Sequence, residues 1–196
     1  MSLKARIACV GAPFLLAGCI SFGPEPPDSL LTLAATEPAA ANAAVGTSDT
    51  SLAVGEFEAE ARLAVTRVPV TMENGRVAYL QEATWVERPS RLFGRLVAET
   101  IRARSGRVVI DGDDPGVNPQ DRLTGTLREF GYDARNSTVV VTVDAVRAGS
   151  GSSIATRRFA ASRPGVPAEG VAVGAALNDA ANEVARDIAD WVASGT

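Results

Sequence analysis

Residues 123–161 read LTGTLREFGYDARNSTVVVTVDAVRAGSGSSIATRRFAA, and this stretch decides the fold. Apolar and polar side chains alternate in three segments, a pattern typical of half-buried strands. Two short connections rich in Gly, Ser and Asn have the length and composition of hairpin loops. We therefore predict an antiparallel meander with strands at 123–132, 138–146 and 154–161.

The first of these strands changes phase partway along its length. Leu123 and Leu127 share one face, whereas Phe130 and Tyr132 share the other. Because one extra residue in a strand shifts the alternation in this way, we predict a β-bulge near Glu129.

Two amphipathic helices flank the meander in the sequence. The first is predicted to begin at Pro89, which suits a first helical turn, and to stop at Ser105 and Gly106. Its apolar residues recur at helical spacing: Leu92, Phe93, Leu96, Val97 and Ile101. The second is predicted to begin at about Ala168, and it carries one apolar stripe: Val173, Leu177, Ala181, Val184, Ile188 and Trp191.

Shorter strands are predicted on both sides of the first helix. Before it, apolar residues alternate around a turn at 72–75, and these are Leu63, Val65, Val77 and Tyr79. After it comes a short apolar run at 108–110. Two amphipathic helices on one face of a mostly antiparallel sheet would bury all these apolar faces in the simplest way. The predicted fold class is therefore α+β.

The N-terminus has the three parts of a secretory signal. Lys4 and Arg6 precede an apolar run at 7–16, and small residues follow. The run is too short for a membrane-spanning helix, which needs about 20 apolar residues. We predict that residues 1–18 form a signal peptide that is removed.

The tetrapeptide Leu16-Ala17-Gly18-Cys19 resembles the lipobox of bacterial lipoproteins. The resemblance implies cleavage between Gly18 and Cys19 and a diacylglyceryl thioether on Cys19. The alternative is an ordinary signal that contains a cysteine. Ile20 follows in place of the aspartate associated with inner-membrane retention in some bacteria, which favours the outer membrane, facing the periplasm.

The composition of the chain changes near residue 51. Residues 19–50 are rich in Pro, Ala, Ser and Thr, which predicts a flexible, lipid-anchored tether interrupted by a short strand at 29–33. Residues 51–196 carry the alternating apolar patterns, and we predict that they form the α+β domain.

The residue types exclude several classes of function. The sequence contains no His and two Cys, Cys9 and Cys19. A Ser-His or Cys-His catalytic centre is therefore excluded, and the predicted domain can form neither a disulfide nor a Cys-based zinc site. The net charge of −4 argues against nucleic-acid binding, which depends on Lys and Arg. We expect no enzyme activity and no cofactor.

Acidic and aromatic residues offer candidate sites for which a structural interpretation is favoured. Asp111-Gly112-Asp113-Asp114 looks like a calcium loop, but Arg122 stands where an EF-hand carries its bidentate Glu, which favours a solvated loop without metal. Four aromatic residues are candidate binding platforms, but each follows a helix or strand pattern that predicts core packing: Trp85, Trp191, Tyr79 and Phe130.

Three groups of charged residues are candidates for recognising lipid headgroups or the surface of a partner. For each group, the favoured interpretation is a polar face exposed to solvent. The arginines of the first helix lie opposite its apolar stripe, and they are Arg88, Arg91, Arg95, Arg102 and Arg104. Strand alternation puts Arg157 and Arg158 on opposite faces. The same alternation puts Glu56, Glu58 and Glu60 on one face of a strand.

Three stretches, in this order and spacing, resemble the ABC-type transport auxiliary lipoprotein family, to which the PqiC/YmbA-like lipoproteins belong. They are RVAYL at 76–80 leading to ATWVERP at 83–89, LTGTLREF at 123–130, and RRF at 157–159 followed by the helix ending DIADWV at 187–192. Two features depart from many members, namely an alanine-rich insertion at 37–50 and Leu30-Leu31-Thr32-Leu33 in place of an aromatic first strand.

The resemblance implies a non-enzymatic role beside an Mce-type lipid transport system. The implied partners are a periplasmic Mce-domain protein and an ABC permease and ATPase, and the implied cargo is phospholipid or another hydrophobic molecule. The alternative is a structural or envelope-assembly lipoprotein without a transport partner. The sequence leaves open whether the chain forms a homo-oligomer.

Overall fold

The computed structural model describes residues 29–41, 44–112, 116–117, 119–149 and 153–194. The strands are β1 Leu52–Ala59, β2 Arg67–Thr71, β3 Val77–Thr84, β4 Val109–Asp111, β5 Asp121–Asp133, β6 Thr138–Ala148 and β7 Ile154–Arg163. The helices are α1 Pro89–Ser105 and α2 Gly170–Ser194, with short 3-10 turns at Ala61–Leu63 and Glu73–Gly75.

The predicted meander is confirmed. β5 pairs antiparallel with β6, and β6 pairs antiparallel with β7, with Val143 opposite Leu127 on one side and Phe159 on the other. The register shifts between Leu127 and Glu129, which is the predicted bulge. Because of the bulge, Phe130 and Tyr132 stay on the buried face even though the alternation of the sequence changes phase there.

The sheet as a whole is mixed, so the prediction of a mostly antiparallel sheet is corrected. The other edge of β5 pairs in parallel with β1 along its first half and with β2 at its end, and β4 lies parallel to β1. β3 completes the sheet antiparallel to β2. Parallel neighbours need long crossover connections, and here the crossovers contain other strands and α1. The paired strands are therefore far apart in the sequence, and no local pattern predicts their pairing.

The predicted strand at Leu63 and Val65 is wrong. Leu63 is buried, but it lies in the 3-10 turn, where its N–H donates to the Glu60 carbonyl at 2.8 Å instead of joining a strand ladder. The strand begins later, at Arg67, and its apolar residue facing the core is Val68.

The two helices were predicted with nearly their observed bounds. Pro89 lies in the first turn of α1, and Gly106 ends the helix in the left-handed conformation with φ 61°. α1 packs on β1 and β4, α2 packs on β6 and β7, and the helices contact each other. The face of β6 that α2 covers carries fully buried side chains: Val139, Val141, Val143 and Ala145.

Part of the predicted tether is bound to the folded domain. We call residues 29–41 the strap. The Leu31 N–H donates to the Thr84 carbonyl at 2.7 Å, and the Val86 N–H donates to the Leu31 carbonyl at 2.9 Å, which forms a single parallel bridge with Trp85. The flexible-tether prediction is therefore wrong for this segment, because polar side chains of the helices hold its backbone.

Candidate functional surfaces

Two asparagines of α2 hold the strap by its backbone. The side-chain amide of Asn182, which is 2% exposed, donates to the Ala34 carbonyl and accepts from the Thr36 N–H, each at 2.9 Å. The Asn178 side chain accepts from the Ala34 N–H at 2.9 Å. Since these bonds satisfy main-chain groups of the strap, they fix its position with little dependence on its side chains.

The ends of the strap are also fixed. At one end, Leu31 packs so closely on α2 that a Cβ added to Gly174 would lie 2.5 Å from its Cδ2 atom. At the other end, the Ala39 N–H donates to Glu99 of α1 at 2.8 Å, and Glu37 lies 3.3 Å from Arg104. The strap therefore joins both helices.

A buried carboxylate, Asp121, ties the start of β5 to several elements. It accepts hydrogen bonds from Arg107 at 3.0 Å and from Arg147 at 2.9 Å. Arg107 also donates to the Ser51 carbonyl before β1, and Arg147 donates to the Val192 carbonyl near the end of α2. Burial by itself would raise the pKa of Asp121, but the hydrogen bonds from the two arginines outweigh it and the pKa is lowered.

The face of the meander opposite the helices carries both charged and apolar side chains. Asp144 on β6 accepts from Arg158 of β7 at 2.6 Å and from Arg128 of β5 at 2.8 Å. These bonds, with that from Arg158 the stronger, lower the pKa of Asp144 to about 2. Val146 and Thr156 line a shallow depression beside this ion pair. Because neither helix covers it within the described part of the chain, we call this surface the uncovered face.

The remaining arginine and glutamate candidates lie as predicted. Arg158 points to the uncovered face, whereas Arg157 lies over the Phe159 ring on the helix side. Glu56, Glu58 and Glu60 are exposed. Arginines of α1 pair with carboxylates on the helix surface: Arg91 and Arg95 with Glu87, Arg102 with Glu99, and Arg104 with Asp190. Four of the five arginine candidates on this face are therefore engaged in ion pairs.

Three of the four aromatic candidates pack in the core as predicted, whereas Tyr79 lies outside it. Trp85 and Phe130 are buried with their rings 5.4 Å apart, and Trp191 lies 5.6 Å from the Phe159 ring. Tyr79 is half-buried beneath Arg67. These residues are therefore part of the packing of the domain.

The predicted anchor lies outside the part of the chain that the structure describes. Leu16, Ala17, Gly18 and Cys19 all precede residue 29, so the lipidation prediction stays a prediction. Within the described ranges, neither helix is long and apolar enough to cross a membrane.

The acidic loop after β4 is only partly described. Asp111 and Gly112 lie in the described part, whereas Asp113 and Asp114 lie outside it. Among the described residues, no group of three or more acidic, His or Cys side chains is placed to hold a metal ion.

Sequence reasoning missed the residues that organise these surfaces. Asn178 and Asn182 are spaced four apart, on one side of a helix that is otherwise rich in alanine. That spacing was a signal for a polar contact, although it does not reveal the strap as the partner. Asp121 and Asp144 gave no comparable signal, since their arginine partners come from other strands and from the loop before β4.

A family model described as the ABC-type transport auxiliary lipoprotein component matches residues 31–189 of the sequence. The match begins in the strap and ends in α2, so it includes the clamped backbone as well as the sheet. Among curated proteins, none matches the chain.

Two solved structures share the fold. Protein XCC0632 from Xanthomonas campestris, of family DUF330, has 19% sequence identity and a TM-score of 0.63, over 85% of this chain and 92% of its own. An uncharacterized protein has 14% identity and a TM-score of 0.64, over 75% of this chain and 94% of its own. At these identities the likeness extends to the fold alone.

Proposed function

Because the chain belongs to the family of ABC-type transport auxiliary lipoprotein components, we propose that it is the non-enzymatic, membrane-anchored auxiliary subunit of an Mce-type ABC transport system. Its partners are then a periplasmic Mce-domain protein and the ABC permease and ATPase. The cargo is phospholipid or another hydrophobic molecule. The observation that carries this proposal is the family match over 31–189, which confirms the resemblance found in three stretches of the sequence.

The proposal includes a lipid anchor on Cys19 in the outer membrane, facing the periplasm. It rests on the lipobox and on Ile20 after it. Each buried methylene of an acyl chain contributes about 0.8 kcal/mol, and two or more chains give stable anchoring. Ser29 is ten positions after Cys19, and ten extended residues span at most about 33–36 Å. The clamped strap therefore keeps the domain close to the bilayer.

We assign the docking of the Mce-domain partner to the uncovered face. The opposite side of the sheet is occupied by the two helices, and the strap lies on those helices. The uncovered face combines half-exposed Val140 and Val146 with the exposed guanidinium of Arg158. Binding energy at protein interfaces concentrates in a few residues, and arginine is enriched among them.

The test is co-purification from crosslinked envelopes, using a tagged chain with Cys19 intact. The variant Arg158→Glu places a like charge beside Asp144, and it should reduce recovery of the Mce-domain protein several-fold. The matched control is Arg95→Glu, since Arg95 is similarly exposed and similarly paired, but lies on α1. Recovery with this control should equal that with the unchanged chain.

The outcomes separate the proposed role from its alternative. Recovery of the Mce-domain protein and permease supports the transport role, and deletion of the gene should then resemble loss of the permease. If no transporter component is recovered with the unchanged chain, the transport role is wrong and the structural or envelope-assembly role replaces it. An equal loss of Mce-domain protein recovery with both variants would show that the uncovered face is not the docking surface.

A further inference from the structure

We propose that Leu30, Val86 and Val171 form a membrane-contact patch, which lies against the bilayer that holds the anchor. This inference rests on the proposed lipidation of Cys19. The three apolar side chains are 49%, 50% and 83% exposed, respectively. Large apolar side chains that are exposed together mark surfaces that contact proteins or membranes.

The three residues come from distant parts of the sequence to one corner of the fold. Leu31 pairs in parallel with Trp85 through its hydrogen bonds with Thr84 and Val86. This register sets Leu30 opposite Thr84, and strand alternation puts Val86, two residues further along, on the same face as Leu30. The first turn of α2 reaches the same place, since a Cβ on Gly170 would lie 2.8 Å from the Glu82 carbonyl of β3. Val171 follows Gly170 directly, and Gly174, one turn later, contacts Leu31.

The course of the chain identifies the bilayer as the occupant of this patch. The described chain ends at Ser29, directly next to Leu30, and Cys19 is ten residues away. An anchor at Cys19 thus holds the patch within about 33–36 Å of the membrane. Asn182 and Asn178 fix the strap on α2, so Ser29, the described residue nearest to Cys19 in sequence, is held at this corner of the domain.

The charges around the patch indicate the kind of lipid that it contacts. Two acidic and two basic residues are exposed near it, namely Glu82, Glu169, Arg67 and Arg88, and Glu87 is already paired with arginines of α1. The rim is therefore not basic, and an anionic surface would gain nothing from it. We expect contact through apolar insertion into zwitterionic lipid, with little dependence on salt.

The experiment uses the full lipoprotein reconstituted in phosphatidylcholine vesicles, with the variant Val86→Cys carrying an environment-sensitive fluorophore. Cys9 leaves with the signal and Cys19 is acylated, so the introduced thiol is the single labelling site. The matched control is Ile154→Cys, because Ile154 is also apolar and 71% exposed but lies on β7, at the opposite edge of the sheet from β3. Lipids brominated on their acyl chains serve as quenchers.

Quenching at position 86 should exceed that at position 154 several-fold and should persist in high salt. Adding Val171→Asp to the Val86→Cys chain should reduce it, since a charge on the same patch opposes insertion. Equal quenching at positions 86 and 154 in protein that floats with the vesicles would overturn the patch while leaving the anchor intact. Protein that does not float with the vesicles would refute the anchor itself, and with it the premise of the patch.

Discussion

The C-terminal region, residues 121–194, and the N-terminal region, residues 29–111, are built by different kinds of pairing. In the C-terminal region each strand pairs with the next strand along the chain, and α2 then covers the sheet that they form. In the N-terminal region β1 pairs with strands that come after α1, and the strap lies on a helix more than 140 residues away in sequence. The pairing in the first region is local, whereas in the second region it joins distant parts of the chain, apart from the antiparallel pair of β2 and β3.

This difference explains where the sequence was informative. Hairpin-connected strands carry their partner in the adjacent sequence, so alternation and turn composition together predict both the strands and their pairing. The partner of a parallel strand lies far away in the sequence, so no local pattern predicts it. We therefore expect core substitutions in the C-terminal region to act through packing, whereas the N-terminal region should depend on a few polar contacts that join it to the rest.

The largest expected effect is in the core of the C-terminal region. Ile188 is fully buried in α2, so Ile188→Ala should lower the free energy of unfolding by about 2–5 kcal/mol. Chemical denaturation measures it. The control on the same helix is Val171→Ala, which should change stability little because Val171 is exposed. A loss near zero for Ile188→Ala would mean that this face of α2 is not packed.

The second-largest loss of stability is expected at the junction between the two regions. Asp121→Asn leaves Arg107 and Arg147 without their shared carboxylate, and breaking a buried ion pair of this kind costs about 3 kcal/mol. Asp190→Asn is the control, because Asp190 forms an exposed pair with Arg104 and should cost below about 1 kcal/mol. Equal losses for the two variants would show that Asp121 does not join the regions.

The stability difference caused by Asp121→Asn should depend on pH. The pKa of Asp121 is lower in the folded chain than its usual value, so its contribution to stability is complete above about pH 4, the ordinary range for an unfolded Asp. The contribution is lost as the pH falls through the lower, folded pKa. The difference in stability between the unchanged chain and Asp121→Asn should therefore shrink in acid, and a difference that grows would contradict the assignment.

A smaller loss of stability is expected when the hydrogen bonds that hold the strap are removed. Asn182→Ala removes hydrogen bonds to Ala34 and Thr36, and the expected loss is about 1–3 kcal/mol because buried backbone groups lose their partners. Hydrogen exchange should accelerate at the Thr36 amide but not at the Val141 amide in β6. The control Asn136→Ala lies in the β5–β6 turn and should leave both rates unchanged. A strap amide that exchanges no faster in Asn182→Ala would refute the clamp.

The smallest effect is expected on the uncovered face. Asp144→Asn breaks ion pairs that water reaches, so the loss at neutral pH should stay below about 1 kcal/mol. Because the pKa of Asp144 is about 2, its carboxyl resonance should titrate well below the range of an ordinary Asp, and its stabilising effect should fade only as the pH drops toward that value. A loss as large as that for Asp121→Asn would place Asp144 among the residues that hold the fold together.

The fold was predicted where apolar periodicity and turns decide it. The meander, its bulge near Glu129, both helices and the stop of α1 at Gly106 followed from such patterns. The parallel pairings did not, and Leu63 was misplaced because a buried leucine in a 3-10 turn has the same alternation as one in a strand. Tertiary contacts, which the local sequence does not encode, decided these elements.

The candidate surfaces were predicted less well than the fold. The packing of Trp85 and Trp191 and the opposite faces of Arg157 and Arg158 followed from helix and strand geometry. The clamp by Asn182 did not, because the alanine-rich composition near the strap gives no sign of backbone hydrogen bonds to a distant helix. Composition describes the side chains of such a segment, whereas its position depends on its main chain.

The most direct test of the account is the mass of the N-terminal peptide of the mature protein. If the strap connects the domain to a membrane anchor, that peptide begins at Cys19 and carries a diacylglyceryl group with or without a third acyl chain. The variant Cys19→Ala should then accumulate as an unprocessed precursor. A mature chain that begins at another residue, or an unmodified Cys19, would contradict the lipid anchor, and with it the role of the strap in holding the domain at the bilayer.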